Sequence, residues 1–523
     1  MEDEAPRHDE DGTDFHAIGA KHAAVAESVE LLVIGAGEAG LAAAIEAARA
    51  GVQVMLVDEN PLGAGLVGMD VPLLFGNRWT AAVQNQGRMT EQLLATNPGL
   101  EEAFELGVDV RLGTYAWGAF VAGPNLKSLP GPAVGLADEA RSWLCGFKHL
   151  IIATGARDLV YSFAGFETPG VIGALGFSSL LTRYEAFNGH RLVILGSGDL
   201  AVQTATLAFN RGLEVAALVE VRSAPQADVS ALVARGVEVI TGHAIQEARG
   251  TAEGVASAIL ADVGSGNQRA VSCDTIVLAI GAVPVVELAD VAGARLRRSD
   301  AGAYVPTVEN APDGVFFAGD CAGLGGDAAV DGRVIARSVM RSLGHEVTAA
   351  EPSVRTPLAP ADTDAYHMEW MRALIAAGGL DVVACSCEEV TRRDVLTVQP
   401  PRYLGAPIDR RDISTLTQDG PVNQDQIKRL TRACMGPCQA RRCREQVAML
   451  LAIGADVPLA QVALAGYRAP VRPLPLGVLA AADESPEMAE GWNVWFGIRK
   501  QWIPYADIGT EREIDRAGRM MHF

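Results

Sequence analysis

Glu30-Leu31-Leu32-Val33-Ile34-Gly35-Ala36-Gly37-Glu38-Ala39-Gly40, then an Ala-rich segment, then Val52-Gln53-Val54-Met55-Leu56-Val57-Asp58, decides the reading of this chain. A short β-branched run, a Gly-x-Gly-x-x-Gly turn, a helix-compatible segment and a second apolar run spell β-α-β. Gly35 makes the tight turn, Gly37 removes the side chain that would bar a pyrophosphate, and Gly40 lets the helix pack close to the strand. The first helical residues, with Glu38 and Ala39 among them, then face an anion with their free N–H groups. Asp58 closes the second strand, where an acid accepts from a ribose hydroxyl. The bland alternative is a glycine turn in an ordinary α/β domain. The flanking strands and the acid at the right distance favour a dinucleotide.

The 523 residues allow three or four domains at roughly 150 residues each. Apolar residues make up 49% and charged residues 20%, yet no apolar run of about 18 residues is free of glycine or charge, so no membrane span is expected. Residues 1–28 are acidic, contain histidine and lack periodicity, which reads as a flexible leader without a signal peptide. A formal charge of −21 argues against nucleic acid as a partner and leaves no basic face for a membrane. Cys145, Cys273 and Cys321 are scattered, whereas five cysteines fall between 385 and 443. That bunching suits a cytoplasmic metal site better than a disulfide scaffold.

Outward from the first motif, Glu59 opens a Gly-rich loop that could approach a cofactor, and Leu150-Ile151-Ile152-Ala153-Thr154-Gly155 is a buried strand ending in small residues. A second β-α-β follows: Arg191–Leu195, then Gly196-Ser197-Gly198-Asp199-Leu200-Ala201, then Val215–Val219 and Glu220. Ala201 in the third small position is permitted by the fingerprint. Glu220 comes one residue later, relative to its turn, than Asp58 does, so Arg222 meeting a 2′-phosphate is an open alternative. A duplicated domain can also keep its fold after losing its ligand. Thr275–Ile280 ending on Gly281, and Val315–Ala318 ending on Gly319-Asp320, repeat the strand-to-small-residue pattern. In this order the motifs resemble the two-dinucleotide-domain flavoprotein disulfide reductase superfamily. The resemblance implies FAD on Gly35, Gly37, Gly40 and Asp58 with Gly319 and Asp320 at its other end, and NAD(P) or another nucleotide at the second turn. No cysteine pair stands beside the flavin motifs, so the superfamily's disulfide chemistry is not expected.

The last third carries Cys385-Ser386-Cys387 and Cys434-Met435-Gly436-Pro437-Cys438-Gln439-Ala440-Arg441-Arg442-Cys443. This supplies thiolate for a four-cysteine site. Zinc would want two to four residues within the first pair, whereas a 2Fe-2S cluster also takes four cysteines. The pattern resembles the bacterioferritin-associated-ferredoxin type of 2Fe-2S domain, as found in the large subunits of opine oxidases, hydroxyproline and proline dehydrogenases and hydrogen cyanide synthases. Carried over by motif, the metal ligands are Cys385, Cys387, Cys438 and Cys443, with Cys434 as the alternative ligand. Ala440 and Cys434 stand where that family has glycine. Arg392, Arg393, Arg432, Arg441, Arg442 and Arg444 crowd the cysteines and would either stabilise an anionic cluster or form a solvated face.

The expected architecture is α/β. Two Rossmann-like domains, an FAD-binding one split over 29–160 and 285–345 and an NAD(P)-like one over 161–284, are followed by a linker at 346–380, a small helical 2Fe-2S domain at 381–480 and an aromatic tail at 481–523. The resemblance implies an oxidoreductase acting on CH–NH bonds: the large subunit of a heteromeric amine or imino-acid dehydrogenase. Its implied partners are a glycine-oxidase-like FAD subunit with, in addition, a small ferredoxin-like one. The competing readings are a free-standing NAD(P)H-dependent reductase and a non-catalytic assembly component. No catalytic residue can be named from the sequence.

Overall fold

The structure, a computed structural model, describes residues 25–61, 85–121, 129, 131–299, 301–347, 362–401, 403, 412–418, 420–481 and 510–512. Residues 1–24 of the expected leader, the Gly-rich loop from Leu62, Pro352, Pro357, Pro360, Pro407 and the aromatic tail residues Trp492 to Tyr505 lie outside the described residues.

The quoted stretch forms β1 (Glu27–Ile34), α1 (Glu38–Arg49) and β2 (Val54–Asp58). Leu31, Leu32 and Val33 are fully buried, as a strand covered on both faces requires. It joins β3 (Asp109–Leu112), β4 (Tyr115–Phe120), β5 (Ala133–Ala137), β6 (Ser142–Ile152) and a strand from much later in the chain, Val315–Phe317, in a seven-stranded sheet. Its path runs β3-β2-β1-β6-β5-β4, and Val315–Phe317 pairs with the end of β6. β6 spans both ends of the sheet. Its first half holds β5 antiparallel, and its last three residues hold Val315–Phe317 parallel.

Between these pieces lies a second sheet. After β7 (Ala156–Asp158) come β8 (Val171–Gly173), β9 (Arg191–Leu195), β10 (Glu214–Val219), β11 (Glu238–Ile240), β12 (His243–Thr251), β13 (Gly254–Asp262), β14 (Gln268–Ser272) and β15 (Thr275–Leu278). The parallel order is β11-β10-β9-β15-β8, with β12-β13-β14 as an antiparallel meander beside it. The α2 helix (Asp199–Asn210) follows β9 and starts at the same offset from its glycine turn as α1. The outgoing β7 and the returning β16 (Ala282–Pro284) pair antiparallel, so the chain crosses between the two units through one two-stranded ribbon.

β17 (Leu296–Arg298), β18 (Tyr304–Pro306), β19 (Val315–Phe317) and α3 (Ala328–Ser342) return the chain to the first unit. Within the stretch expected to be a linker stands α4 (Thr363–Gly378), whose Tyr366, Trp370, Met371 and Leu374 are buried. The difference has a physical cause. The helical apolar face needs a partner, and the second unit supplies it: Leu159, Tyr161 and Phe163 pack in one core with Trp370, Cys385, Val447 and Leu450. The cysteine-bearing segment, β20 (Val383–Cys385), β21 (Val390–Thr391), α5 (Gln424–Thr431) and α6 (Arg444–Ala455), is built onto this core. Fully buried Arg392 fastens the joint by donating to the carbonyls of Leu374 and Gly379 at 2.9 Å and of Ser162 at 2.5 Å. Among the described residues no helix is long and apolar enough to cross a membrane.

Candidate functional site

The first glycine turn borders an open cleft of about 480 Å³. Gly35 has φ +107°, and a Cβ there would run into the Ala153 carbonyl, so the turn takes glycine for two reasons at once. Gly37, in contrast, is extended, and nothing lies within 4 Å of where its Cβ would be: the space above it is open. Asp58 is oriented before any ligand arrives. Its Oδ2 accepts the Ala36 N–H at 2.5 Å, and its Oδ1 accepts the Asn60 N–H at 2.8 Å and the Asn60 amide at 2.9 Å. Glu59, Thr154, Gly155 and Asp320 line the same cleft. Thr154 Oγ1 donates to the Val285 carbonyl at 2.7 Å, and the Val285 N–H donates to the Gly155 carbonyl at 2.9 Å, which pins the crossing strands at the cleft floor. Glu38 projects outward at the start of α1, while Ala39 and Gly40 are buried beneath the turn. Gly319 spends its N–H on Asp331 Oδ2 at 2.6 Å and steadies the turn that carries Asp320.

Five arginines on the cleft wall, Arg157, Arg183, Arg441, Arg442 and Arg472, were not identified from the sequence as cleft residues. Arg472 Nε donates to Glu59 at 2.8 Å, and Arg157 Nε donates to the Arg441 carbonyl at 3.0 Å while its guanidinium pairs with buried Glu287. Burial alone would raise the Glu287 pKa, but the charges of Arg157, Arg441 and Arg444 outweigh it and hold the carboxyl below its usual range. No motif flags these arginines, because the fold brings them in from segments as much as 315 residues apart, Arg157 to Arg472. The only sequence signal is Arg441-Arg442 lying between Cys438 and Cys443.

The second glycine turn repeats the first. Gly196 has φ +107°, its N–H donates to the Val219 carbonyl at 2.8 Å as the Gly35 N–H donates to Val57, and nothing lies within 4 Å of a Gly198 Cβ. The extra residue before Glu220 is absorbed by a bulge between Val215 and Ala217, which leaves Glu220 in the same structural place as Asp58. Its surroundings differ. Glu220 is fully buried, accepting from Ser197 Oγ at 2.5 Å, from the Arg222 N–H at 2.9 Å and from the Tyr366 hydroxyl of α4 at 2.8 Å. Burial raises its pKa against those hydrogen bonds. Arg222 is held by Asp362 and Glu369, each at 2.6 Å, and lies over the Tyr366 ring. Ala201 is buried at the foot of α2, and Gly281 faces the His367 ring of α4, away from the first cleft.

The five clustered cysteines come together in space. Cys385, Cys434, Cys438 and Cys443 are buried and Cys387 is exposed. Cys385 and Cys443 are hydrogen-bonded, as are Cys387 and Cys438, and Cys434 Sγ lies 3.5 Å from Cys443 Sγ. Within the second pair the pKa of Cys438 is lowered, chiefly by the hydrogen bond from the Cys387 thiol, with Arg442 and Arg441 adding positive potential. Among the described residues, however, no three His, Cys, Asp or Glu side chains are arranged to hold a metal ion. The loop is strained, with left-handed backbone at Glu389, Arg432, Cys434, Gln439 and Ala440. Most of the surrounding arginines do not serve the thiols. Arg392 binds carbonyls of the neighbouring core, Arg393 pairs with Asp381, Arg432 pairs with Glu388, and Arg444 lies over the Tyr467 ring.

Comparison with known proteins places these features. The pyridine nucleotide-disulphide oxidoreductase family matches residues 29–384, and the sarcosine oxidase A3 domain matches residues 404–483. An opine oxidase subunit of Agrobacterium tumefaciens is 26% identical, over 86% of this chain and 91% of its own. Hydrogen cyanide synthase subunit HcnB of Pseudomonas aeruginosa is 27% identical, over 79% and 90%. Among solved structures, the L-proline dehydrogenase of P. horikoshii superposes with a TM-score of 0.59 at 18% identity, covering 87% of this chain and 80% of that one, which is a likeness of fold.

Proposed function

The chain belongs to the pyridine nucleotide-disulphide oxidoreductase family, and from that premise we propose that it is the FAD-containing large subunit of a heteromeric amine or imino-acid dehydrogenase, acting on CH–NH bonds in the cytoplasm. The observation that carries the reading is the cleft itself. One continuous wall joins the Gly35–Asp58 motif to Arg441 and Arg442, which stand between the cysteines of the C-terminal segment. A dinucleotide laid along it would end beside that segment. The relatives named as oxidase and synthase subunits support the reading of this chain as one component of a larger enzyme.

The first cleft fits FAD by its chemistry. Gly37 leaves room for a pyrophosphate, the start of α1 offers N–H groups to it, and Asp58 offers a carboxylate already aimed by Ala36 and Asn60. When bound, FAD supplies reversible two-electron and one-electron redox chemistry. The chain's own part is to orient and polarise. Thr154 and Gly155 fix the floor, Asp320 lines the same cleft, Arg472 is paired with Glu59 beside Asp58, and Arg157, Arg441 and Arg442 add positive charge to the wall, where an anionic reduced cofactor or substrate carboxylate would be favoured.

For the cysteine segment the proposal is a 2Fe-2S cluster held by Cys385, Cys387, Cys438 and Cys443. Support comes from the two hydrogen-bonded pairs, Cys385 with Cys443 and Cys387 with Cys438; Cys434, which also lies 3.5 Å from Cys443, is the alternative ligand, and the proposal takes it as the supernumerary thiol. Cys434→Ser should therefore keep bound iron and acid-labile sulfide while each of the other four serine variants loses them. Zinc without sulfide in the purified chain would refute the cluster. The partners proposed are a glycine-oxidase-like FAD subunit with, in addition, a small ferredoxin-like one. The test of the whole reading is to express the chain with and without such partners, then assay proline, hydroxyproline, sarcosine and opines with a dye acceptor. Turnover only in the co-expressed sample is expected, and robust turnover by the homogeneous single chain would overturn the subunit reading.

A further inference from the structure

We infer that Tyr366, with Glu220 and Arg222, fixes the electron-donor specificity of this chain by filling its second dinucleotide site from within, so that a nicotinamide dinucleotide is excluded as donor. In a dinucleotide fold the acid at the end of the second strand accepts from a ribose hydroxyl. At that place Glu220 already accepts from a hydroxyl of the chain itself, Tyr366 Oη at 2.8 Å, and its other contacts come from Ser197 Oγ and the Arg222 N–H. The hydroxyl therefore stands in for the sugar.

Three further features close the site. Arg222, the side chain suited to a 2′-phosphate, has its guanidinium engaged by the Asp362 and Glu369 carboxylates at 2.6 Å each and stacked over the Tyr366 ring. Ser197, inside the glycine turn, donates its hydroxyl to Glu220, accepts the Gln226 N–H at 3.0 Å and is fully buried. Three residues past β15, the strand beside β9, the His367 ring of α4 packs so tightly on Gly281 that a Cβ there would sit 2.8 Å from its Nε2. To admit a nucleotide the chain would have to lift α4, whose Trp370 is fully buried and whose C-terminal carbonyls are held by Arg392. That displacement breaks a buried carboxylate–hydroxyl bond and two ion pairs and exposes a core, a combined cost beyond what one ribose and one phosphate contact return.

The inference does not depend on the flavin, and the experiment keeps the two apart. NADH and NADPH are titrated by calorimetry into the purified full chain saturated with FAD, so that the first cleft is filled and any uptake reports on the second turn, while the visible spectrum of the same sample verifies that flavin is present. The expected result is no binding of either nucleotide up to about 1 mM, and no change in hydrogen exchange of residues 363–378 when nucleotide is added. Tyr366→Ala should gain affinity for NADH or NADPH by at least about ten-fold. Micromolar binding by the unaltered chain, or nucleotide-dependent loss of protection in residues 363–378, would overturn the inference. So would a folded Tyr366→Ala protein with no gain in affinity. If that variant does not fold, the titration and exchange measurements on the unaltered chain decide the matter.

Discussion

The two glycine turns share φ +107° at the first glycine, an open position at the second, a 12-residue helix and an acid in the same place at the end of the second strand. Yet Asp58 borders an open cleft, whereas Glu220 is sealed under Tyr366. The difference teaches that the motif encodes a backbone geometry, and that occupancy is settled by what the rest of the chain lays over it. In the first unit arginines from distant segments extend the cleft. In the second, one helix closes it.

The sharpest way to break the comparison is to add the same side chain to both turns. Gly37 and Gly198 are extended and unobstructed, so valine fits the fold at either place. Gly37→Val should weaken FAD retention about a thousand-fold, roughly 4 kcal/mol, by occupying the pyrophosphate's path. Gly198→Val should leave flavin content unchanged. Equal flavin loss in both variants, measured by absorbance after gel filtration, would show that the effect is structural.

Acid should separate the units next. Burial, reinforced by Arg298, lowers the pKa of His367 from 6.5 to about 4. Above pH 6.5 both folded and unfolded chains hold this ring neutral, and it contributes no pH dependence. As pH falls from 6.5 to about 4 the unfolded chain takes up a proton that the folded chain refuses, so stability declines by at most about 3 kcal/mol and then levels off. His367→Gln should flatten the unfolding midpoint across this window. An unaltered slope in that variant would assign the acid sensitivity elsewhere.

Removing the two acids gives smaller and opposite effects. Asp58→Ala should weaken FAD retention about ten- to a hundred-fold with little change in the unfolding midpoint. Glu220→Ala should leave flavin in place and cost about 2 kcal/mol of stability, because the Ser197 and Tyr366 hydroxyls lose their shared buried acceptor. If Glu220→Ala released flavin, the second unit would be coupled to the first more tightly than their separate sheets imply.

Much of this was legible in the sequence. Both β-α-β units and the late Gly319-Asp320 carry local signals, since strand periodicity, glycine geometry and a terminal acid are all encoded within about 30 residues. Two things were not. The role of α4 was hidden because Pro352, Pro357 and Pro360 ahead of it, with acids around them, suggested a linker, while the reason for its burial lies in a core drawn from residues 159–163 and 447–450. Arg441 and Arg442 were read with the cysteines, and only the fold shows that they also face the cleft. Arg392, expected near the thiols, is turned instead to three carbonyls. Contacts across hundreds of residues leave no local pattern to read.

The smallest predicted effect bears on why the cysteine segment differs from both nucleotide units in its backbone. In the turns of the nucleotide units, positive φ falls on Gly35 and Gly196, where it carries little strain; around the cysteines it falls on Glu389, Cys434, Gln439 and Ala440. A non-glycine residue in this region stores about 1–2 kcal/mol. Ala440 and Cys434 are buried, so changing them to glycine would also remove packing. Glu389 is exposed, has φ +53° and follows Cys387 by two residues, which makes it the cleaner probe. Glu389→Gly relieves the strain but adds freedom to the unfolded chain, and the two leave a net stabilisation of about 0.5 kcal/mol. Denaturant unfolding should show the midpoint rising with unchanged slope. A fall would mean that the Glu389 side chain makes a contact strong enough to hold the turn, and the strain would then have to be assigned to the buried positions alone.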